Sequence, residues 1–435
     1  MKKNKKGRLF FIGFVIATNP IIDMFYKILS DKSIGPVSIN QLLRVLLLFI
    51  SFFFIKTITS KKQTLWLSLG LAFILLVQHF NVGEGSIVKD VGFALKILFG
   101  FVFLRIIYEE ICSNKDFFKD INSAMVIATL IFALNIMLAP FGLGGELYEN
   151  SERMKGYLGL LSGNLVAANS LLIILSYHLY MFFSSKKKLN LIFSIITFAC
   201  LFLLASKFSI LGALVIVLIE YFIFVGSIKT QAKKTLNFIG VMAIILSLAA
   251  LIPFAVKYIS KIVAQANVFD YDFFTALTSN RFMQIDIVEE YCVAQAKGNM
   301  LITRLFGTGY SWTNEVLNSV KIDFEAIELD FHGLFYYLGG GFTFVAIIYF
   351  VRMVYKGRIA YRQNDILGKF AYLTLIVLLF GATFGGHVLY ETTTLVYFAI
   401  PCACVMSESR KRYVVVFADE KENAVETNVK LVENN

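Results

Sequence analysis

The sequence predicts an all-α, polytopic transmembrane helix bundle of about twelve spans with one large extracytoplasmic loop. The first observation is composition: 57% of the 435 residues are hydrophobic and only 16% are charged, whereas soluble domains carry about 25% charged residues. The second is that the sequence contains many apolar runs whose length is close to the roughly 20 residues needed to cross a bilayer. The third is that basic residues form short clusters between these runs.

The apolar runs divide the chain into four regions. Residues 1–256 hold nine predicted spans, 257–330 form a large extracytoplasmic loop, 331–408 hold three more spans, and 409–435 form a polar, acidic cytoplasmic tail. The predicted spans, in chain order, are 9–29, 36–57, 64–80, 91–109, 118–139, 163–183, 189–205, 208–226, 235–256, 331–354, 367–386 and 390–407.

The basic clusters predict the orientation of the bundle, because cytoplasmic loops of membrane proteins carry an excess of Lys and Arg. With both termini in the cytoplasm, every compact cluster falls on the cytoplasmic side. These clusters are Lys61 and Lys62, Lys115 and Lys119, Lys186 to Lys188, Lys229 with Lys233 and Lys234, Lys356 with Arg358 and Arg362, and Arg410 to Arg412. The net charge of +11 therefore reflects topology, and no nucleic-acid partner is expected.

The N-terminal segment and the cysteines add two further expectations. The start MKKNKKGR has the charge pattern of a signal peptide but lacks a small-residue cleavage site, so we interpret it as the beginning of an uncleaved first span. Of the five cysteines, only Cys292 falls on the outer side, so no disulfide is expected there. No HxxxH or HExxH spacing occurs, and no metal or cofactor is expected.

Several basic residues depart from the cytoplasmic rule and fall in the outer half of the protein. They are Arg44, Lys96, Arg153, Lys155 and Lys207. Ionisable groups at such places mark functional sites by default. For Lys207, in a tight connection between two apolar helices, a cation that meets an anionic lipid-linked substrate is favoured over snorkelling to the headgroups. For Arg44 and Lys96, an ion pair within the bundle and a ligand role stay equally open.

The long outer segment contains a second group of candidates. An amphipathic helix is predicted from near Thr278, with Arg281 in its first turn. An arginine gains nothing from the helix dipole at that end, but helix N-termini attract anions. A phosphate-binding role is therefore favoured over an ordinary surface arginine. Gly307 and Gly309 indicate a turn, which alone is a weak signal.

Glu328, Asp330 and His332 lie at the outer mouth of the tenth predicted span. Glu328 and His332 are four residues apart, so one helical turn would place them on the same face. Carboxylates and imidazole are the usual general bases. The alternative is a polar helix start, where acidic residues are favourable.

The ordered set of these motifs resembles the bacterial O-antigen ligase and polymerase superfamily, whose members are membrane glycosyltransferases acting on polyprenyl-diphosphate-linked glycans. The matching segments cover most of the chain. They are Arg153, Lys155 and Gly156; Ser162, Gly163 and Asn164; Ser206 and Lys207; Ser279 and Arg281; Gly307 and Gly309; and Glu328, Asp330 and Phe331 with Gly339 to Gly341.

Two departures from the family pattern are informative. Lys207 stands where the family often has arginine, and lysine keeps the charge but loses the bidentate fork. The segment from Glu328 to Gly333 reads Glu-Leu-Asp-Phe-His-Gly, whereas ligases of the family carry His-Asn at this helix mouth. The sequence therefore looks closer to the polymerases.

The resemblance implies a GT-C-like fold, location in the bacterial cytoplasmic membrane and a metal-independent reaction on its outer face. An acceptor sugar hydroxyl would displace the lipid diphosphate of a donor glycan. Lys207 and Arg281 would bind the diphosphate, helped by Arg153, Lys155 and Arg44. Asp330 or Glu328, close to His332, would act as the base.

The partners implied are the donor, a glycan acceptor, the bilayer, a flippase and a chain-length regulator. A ligase that transfers the glycan to a terminal acceptor is the nearest alternative. A transporter or glycolipid flippase and a non-catalytic assembly protein are the rivals from other classes. The concentration of charge at the outer surface favours catalysis, because transporter sites lie near the midplane.

Overall fold

The structure is a computed structural model, and it describes residues 2–28, 33–34, 37–83, 85–142, 145–147, 156–227, 281–293, 298–319, 327–362 and 366–407. This part of the chain is almost entirely helical, with two small antiparallel strand pairs, β1–β2 and β3–β4. The first half contains α1 Lys2–Ile28, β1 Ser33–Ile34, β2 Val37–Ser38, α2 Ile39–Phe54, α3 Ile58–Asn81, α4 Ile87–Ser113, α5 Phe117–Asp120, α6 Asn122–Leu138, β3 Gly145–Leu147, β4 Gly156–Gly159, α7 Asn164–Ser185, α8 Lys188–Leu203 and α9 Lys207–Ser227.

The second half contains the layer of short helices and the last long ones. Its elements are α10 Arg281–Ile287 with a π-helical continuation Val288–Val293, α11 Met300–Phe306, α12 Tyr310–Ser319, α13 Asp330–Arg362, α14 Ile366–Phe384 and α15 Thr392–Ser407. The ninth predicted span, 235–256, and the tail from 409 lie outside the described residues. The number of spans therefore stays a prediction.

The long helices have the length and composition of membrane spans. Within the described ranges, eight are long and apolar enough to cross a bilayer, and three shorter apolar helices accompany them. Their outward surface is apolar as well: on α3, Trp66 is 73% exposed and Phe80 79% exposed. In water such surfaces would be unfavourable, whereas lipid tails cover them at no cost. The predicted class, an all-α membrane protein, agrees with this architecture.

The bundle has a centre and a periphery. Helix α7 packs against α6, α8, α9 and α14 and is 83% buried over its apolar window, whereas α3 is only 22% buried. Close packing around α7 uses small residues, as membrane helices do. A Cβ on Gly212 of α9 would come within 2.9 Å of Leu172 on α7. The central helix therefore fixes the positions of the elements around it.

The helices run back and forth between two ends of the bundle, which differ in charge. The basic end holds the connections at 55–57, 114–121 and 186–187, with the facing ends of α13 and α14 at Arg362 and Ile366. The site end holds residues 82–83, 85–86, 160–163 and 385–391. The described basic clusters predicted to be cytoplasmic all fall at or near the basic end. The assignment of this end to the cytoplasm, and with it the predicted topology, rests on the positive-inside rule and stays a prediction.

A kink in α13 allows the short helices α11 and α12 to pack at the site end. Gly339 has φ +87° and ψ 164° inside α13, a backbone conformation that L residues rarely adopt. A Cβ there would lie 2.2 Å from the carbonyl oxygen of Leu305, at the end of α11. Gln78 of α3 donates to the freed carbonyl of Tyr337 at 2.7 Å, and the Thr308 amide donates to Tyr336 at 2.7 Å. The kink therefore allows α11 and α12 to pack beside α3 and α13.

Candidate functional site

Residues 385–391, which connect α14 to α15, form the centre of the site end and are called the site turn below. Asp330, the first residue of α13, holds this turn. Its carboxylate accepts hydrogen bonds from the backbone amides of His387, Val388 and Leu389 at 2.6, 2.7 and 2.9 Å. Asp330 is fully buried. Both of its oxygens are thus occupied by the backbone, which favours an anchoring role over the base role expected from the sequence.

Further contacts tie the site turn to the segment that precedes α13. The Tyr390 hydroxyl donates to the carbonyl of Ile327 at 2.5 Å, and Asn169 of α7 donates to the carbonyl of Gly386 at 3.0 Å. Gly386 has φ +77°, and a Cβ there would overlap the carbonyl oxygen of Glu328. The glycine is required at this contact because a side chain has no room and the backbone is left-handed.

Two residues predicted for different roles contact each other directly. Arg281 Nε donates to the Glu328 carboxylate at 2.5 Å, and its Nη1 donates to the carbonyl of Phe384 at 2.7 Å. The Glu328 amide in turn donates to Gln284 of α10 at 3.0 Å. The two charged side chains remain 19% and 32% exposed. The predicted phosphate ligand and the predicted base therefore form one accessible ion pair beside the site turn.

Lys96 and Arg44 bring two more cations to the same region. Lys96 of α4 lies 3.3 Å from Glu391, the last residue of the site turn. Arg44 of α2 donates to the Thr393 hydroxyl at 3.0 Å and lies 3.7 Å from Asp23 of α1. For both residues, the structure contains the ion pair that the sequence left open. Arg44 Nε nevertheless has no hydrogen-bond partner and is buried.

Asp23 organises the Arg44 side of the site. It accepts from the Thr393 hydroxyl at 2.9 Å, and the Ser162 hydroxyl and amide donate to it at 2.7 and 3.0 Å. Ser162 belongs to the Ser-Gly-Asn segment that contributed to the family resemblance. This segment therefore attaches the start of α7 to α1.

His387 is a site residue that the sequence did not single out. It has φ +63°, which is uncommon for a residue other than glycine. It lies within electrostatic reach of Glu391, Glu328, Arg281 and Lys96. Burial lowers the pKa of His387, and its Nδ1 has no hydrogen-bond partner. The only sequence signal was an isolated histidine after two glycines, and proximity to the other charges arises only in the folded chain.

Glu391 keeps its negative charge although it is partly buried. Burial would raise the pKa of its carboxyl, but the charges of Lys96 and Arg44, with the hydrogen bond from Lys96, outweigh that effect and lower it. The site turn therefore presents an anion to the cations around it. In the described residues, the site end combines Arg44, Lys96 and Arg281 with four carboxylates, those of Asp23, Glu328, Asp330 and Glu391.

Not all of the predicted site residues are described in full. Arg153 and Lys155 lie outside the described residues, and Lys207 is described only as the backbone that begins α9. His332 lies in the first turn of α13 and is half-buried. In the described ranges, no group of three His, Cys, Asp or Glu side chains is arranged to hold a metal ion. Compared with known proteins, the chain matches no family model and no curated protein.

Proposed function

We propose that this protein is a membrane glycosyltransferase that joins polyprenyl-diphosphate-linked oligosaccharide repeat units into a surface polysaccharide, on the outer face of a bacterial cytoplasmic membrane. The observation that carries the proposal is the ion pair between Arg281 and Glu328. This pair joins a guanidinium and a carboxylate at 2.5 Å in a partly exposed position beside the site turn. The first group suits the binding of a phosphate and the second suits the acceptance of a proton.

The chemistry has two requirements that this edge meets. The acceptor hydroxyl oxygen forms a new bond to the anomeric carbon of the donor glycan, while the bond from that carbon to the lipid diphosphate breaks. The diphosphate leaves with the electron pair, and a cation stabilises the charge that accumulates there. A base accepts the hydroxyl proton. Arg281 suits the first role, because its fork binds phosphate oxygens, and Glu328 suits the second.

The contact between the two residues couples these roles. As long as Arg281 is hydrogen-bonded to Glu328, that carboxylate oxygen is occupied and is not free to accept the proton of a substrate hydroxyl. An arriving diphosphate competes with Glu328 for the guanidinium. Once Arg281 turns to the phosphates, the oxygen of Glu328 is free to accept the hydroxyl proton. Proton removal is then favoured only when the donor is bound.

The remaining charges have supporting roles in this scheme. Asp330 holds the site turn by its backbone amides. Lys96 lies beside Glu391 and adds positive potential close to Arg281 and His387. Arg44, bonded to Thr393 and Asp23, fixes the start of α15. Lys207, Arg153 and Lys155 remain in the proposal as further diphosphate ligands on the strength of the sequence.

The test compares Glu328→Gln with Arg281→Ala in purified protein supplied with a polyprenyl-diphosphate oligosaccharide and no divalent metal. Glu328→Gln should lower turnover about 100-fold or more, the contribution expected of a general base. It should also tighten donor binding by up to about fivefold, because Arg281 no longer has a competing carboxylate. Arg281→Ala should lower turnover by about 100- to 1,000-fold and weaken donor binding.

Arg304 supplies the matched control, because it forms a similar ion pair with Glu289 on the short helices, away from the site turn. Arg304→Ala should leave donor binding and turnover unchanged. Weaker donor binding in Glu328→Gln would contradict the exchange between carboxylate and phosphate. Full turnover in both site variants would overturn the assignment of this pair.

The products distinguish the alternatives. A ladder of longer glycans together with lipid-diphosphate release identifies a polymerase. Release that requires a second acceptor without a diphosphate identifies a ligase. Transfer of labelled lipid across a liposome bilayer, without glycan transfer, identifies a flippase and contradicts the proposal.

A further inference from the structure

A buried carboxyl group lies in the membrane-spanning part of the bundle, far along α9 from the site end. Glu220 is fully buried, and among the described residues its polar contact is the hydroxyl of Ser176 on α7. The second carboxyl oxygen of Glu220 has no hydrogen-bond partner. Ionisable groups at such depth are functional-site candidates by default. This one plays no part in the proposed glycosyl transfer.

Glu220 begins a hydrogen-bonded chain that runs through two hydroxyls. Its carboxyl contacts the Ser176 hydroxyl, the hydroxyls of Ser176 and Thr374 are 2.6 Å apart with either able to donate, and Thr374 of α14 is 2.9 Å from the carbonyl of Phe370. With Glu220 ionised, Ser176 donates to the carboxylate. With Glu220 protonated, the acid donates to Ser176 and the chain runs toward Phe370. Hydrogen bonding alone therefore allows both forms.

The buried position decides between the two forms. Glu220 is fully buried, and its second carboxyl oxygen has no hydrogen-bond partner. An ionised carboxylate would lie there in an apolar interior, where an unpaired charge costs several kcal/mol. The burial therefore favours the protonated acid.

The elements packed against α9 do not neutralise Glu220 within the described part of the chain. Helices α7, α8 and α14 surround α9. Their titratable side chains, with Tyr221 of α9 itself, are Tyr177, His178, Tyr180, Lys188, Cys200, Lys369 and Tyr372. His178 bonds Thr129 and Asn190 at 2.9 and 3.1 Å, and Lys369 lies over the ring of Tyr361. No ion pair joins any of these groups to Glu220.

The two hydroxyls lie beside a small space between the helices. Ser176 and Thr374 line it together with Tyr177, Phe370 and Cys404, and its lining is almost entirely apolar. An apolar space of this kind does not hold ordered water. It therefore provides no polar group that would solvate an ionised Glu220.

We propose that Glu220, Ser176 and Thr374 form an intramembrane proton-binding site that joins α9 to α7 and α14. Its ligand is a proton, held by the Glu220 carboxyl and relayed through the two hydroxyls. Loss of that proton places a bare carboxylate between three helices and removes the donor that starts the chain. Proton release is therefore coupled to looser packing of α9 against α7 and α14.

The first measurement is infrared spectroscopy of the protein in lipid nanodiscs at neutral pH. A protonated acid absorbs as a carbonyl stretch separate from that of a carboxylate. We expect such a band in the wild-type protein and its loss in Glu220→Gln. Its position should shift in Ser176→Ala, because the acid loses the acceptor of its hydrogen bond. A spectrum without any band that Glu220→Gln removes would overturn the proposal.

Glu110 of α4 is the matched control, since it is equally buried but pairs with Arg8. Glu110→Gln should leave the protonated-acid band unchanged and should destabilise the protein. Glu220→Gln should keep the thermal stability of the wild type, because an amide reproduces a neutral donor. A Glu220→Gln variant as unstable as Glu110→Gln would show that Glu220 is ionised and paired.

Chemical labelling tests the protonation state of Glu220 independently. A lipid-soluble carbodiimide adds to protonated carboxyls in apolar surroundings and forms a stable acylurea, detectable by mass spectrometry. We expect an adduct at Glu220 that diminishes as the pH is raised, and no adduct at Glu110. Labelling of Glu220 by a water-soluble carbodiimide, with no preference for the lipid-soluble reagent, would contradict a site enclosed among α7, α9 and α14.

Discussion

The two ends of the bundle both contain buried arginines and carboxylates, but they use them differently. At the basic end, Arg8 is 1% exposed and bonds Glu109, Glu110 and Ser113 at once. Glu109 also accepts from the amides of Lys56 and Thr57 at 2.9 and 3.0 Å. At the site end, Arg281 and Glu328 remain accessible, and buried nitrogens that include Arg44 Nε, His387 Nδ1 and Gln284 Nε2 lack partners.

The difference separates structural charge from charge available for binding. A buried ion pair stabilises a fold only when its remaining donors and acceptors are satisfied, and the Arg8 cluster at the basic end meets that condition. At the site end, the pair of Arg281 and Glu328 is partly exposed instead. A charged substrate can reach a partly exposed pair and take the place of one partner. The comparison therefore favours the site end as the functional one.

The comparison is tested most strongly by removing one arginine from each end. Arg8→Ala leaves Glu109 and Glu110 buried without a cation, which should lower the free energy of unfolding by about 3–5 kcal/mol. Arg281→Ala removes a partly exposed pair and should cost about 1 kcal/mol or less. Thermal unfolding in a fixed detergent measures both. Equal losses of stability would contradict the distinction between the two ends.

Asp330 tests whether the site end also contains a purely structural acid. Asp330→Asn replaces one accepting oxygen by an amide group that faces backbone N–H donors. A buried donor without a partner costs about 1–3 kcal/mol, so unfolding should occur at lower temperature and turnover should fall as the site turn shifts. If Asp330 were the base instead, turnover would fall while thermal stability stayed close to that of the wild type. Measuring both quantities on the same preparation separates the roles.

Much of the fold was predictable because the bilayer imposes it. The predicted span 91–109 falls within helix Ile87–Ser113, and the predicted span 163–183 matches helix Asn164–Ser185 to within two residues at each end. Apolar runs of this length have few other stable conformations in a membrane. The kink at Gly339 was not predicted, since glycines in a helical run indicate close packing as often as a break. It depends on the approach of Leu305 from another part of the chain.

The site was predictable only in part, for a physical reason. Arg281, Glu328 and Asp330 were recognisable because they stand beside apolar runs and match an ordered family pattern. Their pairing was not, because it joins residues 47 positions apart in sequence. His387 was not identified from the sequence, because it is a single histidine and the charged residues near it lie on other helices. Tertiary proximity creates such clusters, and a linear pattern does not encode it.

The smallest expected effect is the loss of stability that protonation of the site end causes at acidic pH. Because burial lowers the pKa of His387 in the folded protein, the folded state binds fewer protons than the unfolded state, where the pKa is about 6.5. The stability contributed by neutral His387 is complete above that pH and is lost as the pH falls through the folded pKa. Its slope cannot exceed about 1.4 kcal/mol per pH unit.

His387→Asn is the variant that isolates this contribution. Asparagine tolerates the left-handed backbone at this position and does not titrate. The variant should therefore unfold at nearly the wild-type temperature near pH 5, where protonation already weakens the wild type, and differ from it most above pH 6.5. No such dependence is expected of the Arg8 cluster at the basic end, because its members Arg8, Glu109, Glu110 and Ser113 include no histidine. Identical pH profiles for wild type and variant would mean that His387 does not sense protons in the site, and the two ends would then differ in exposure alone.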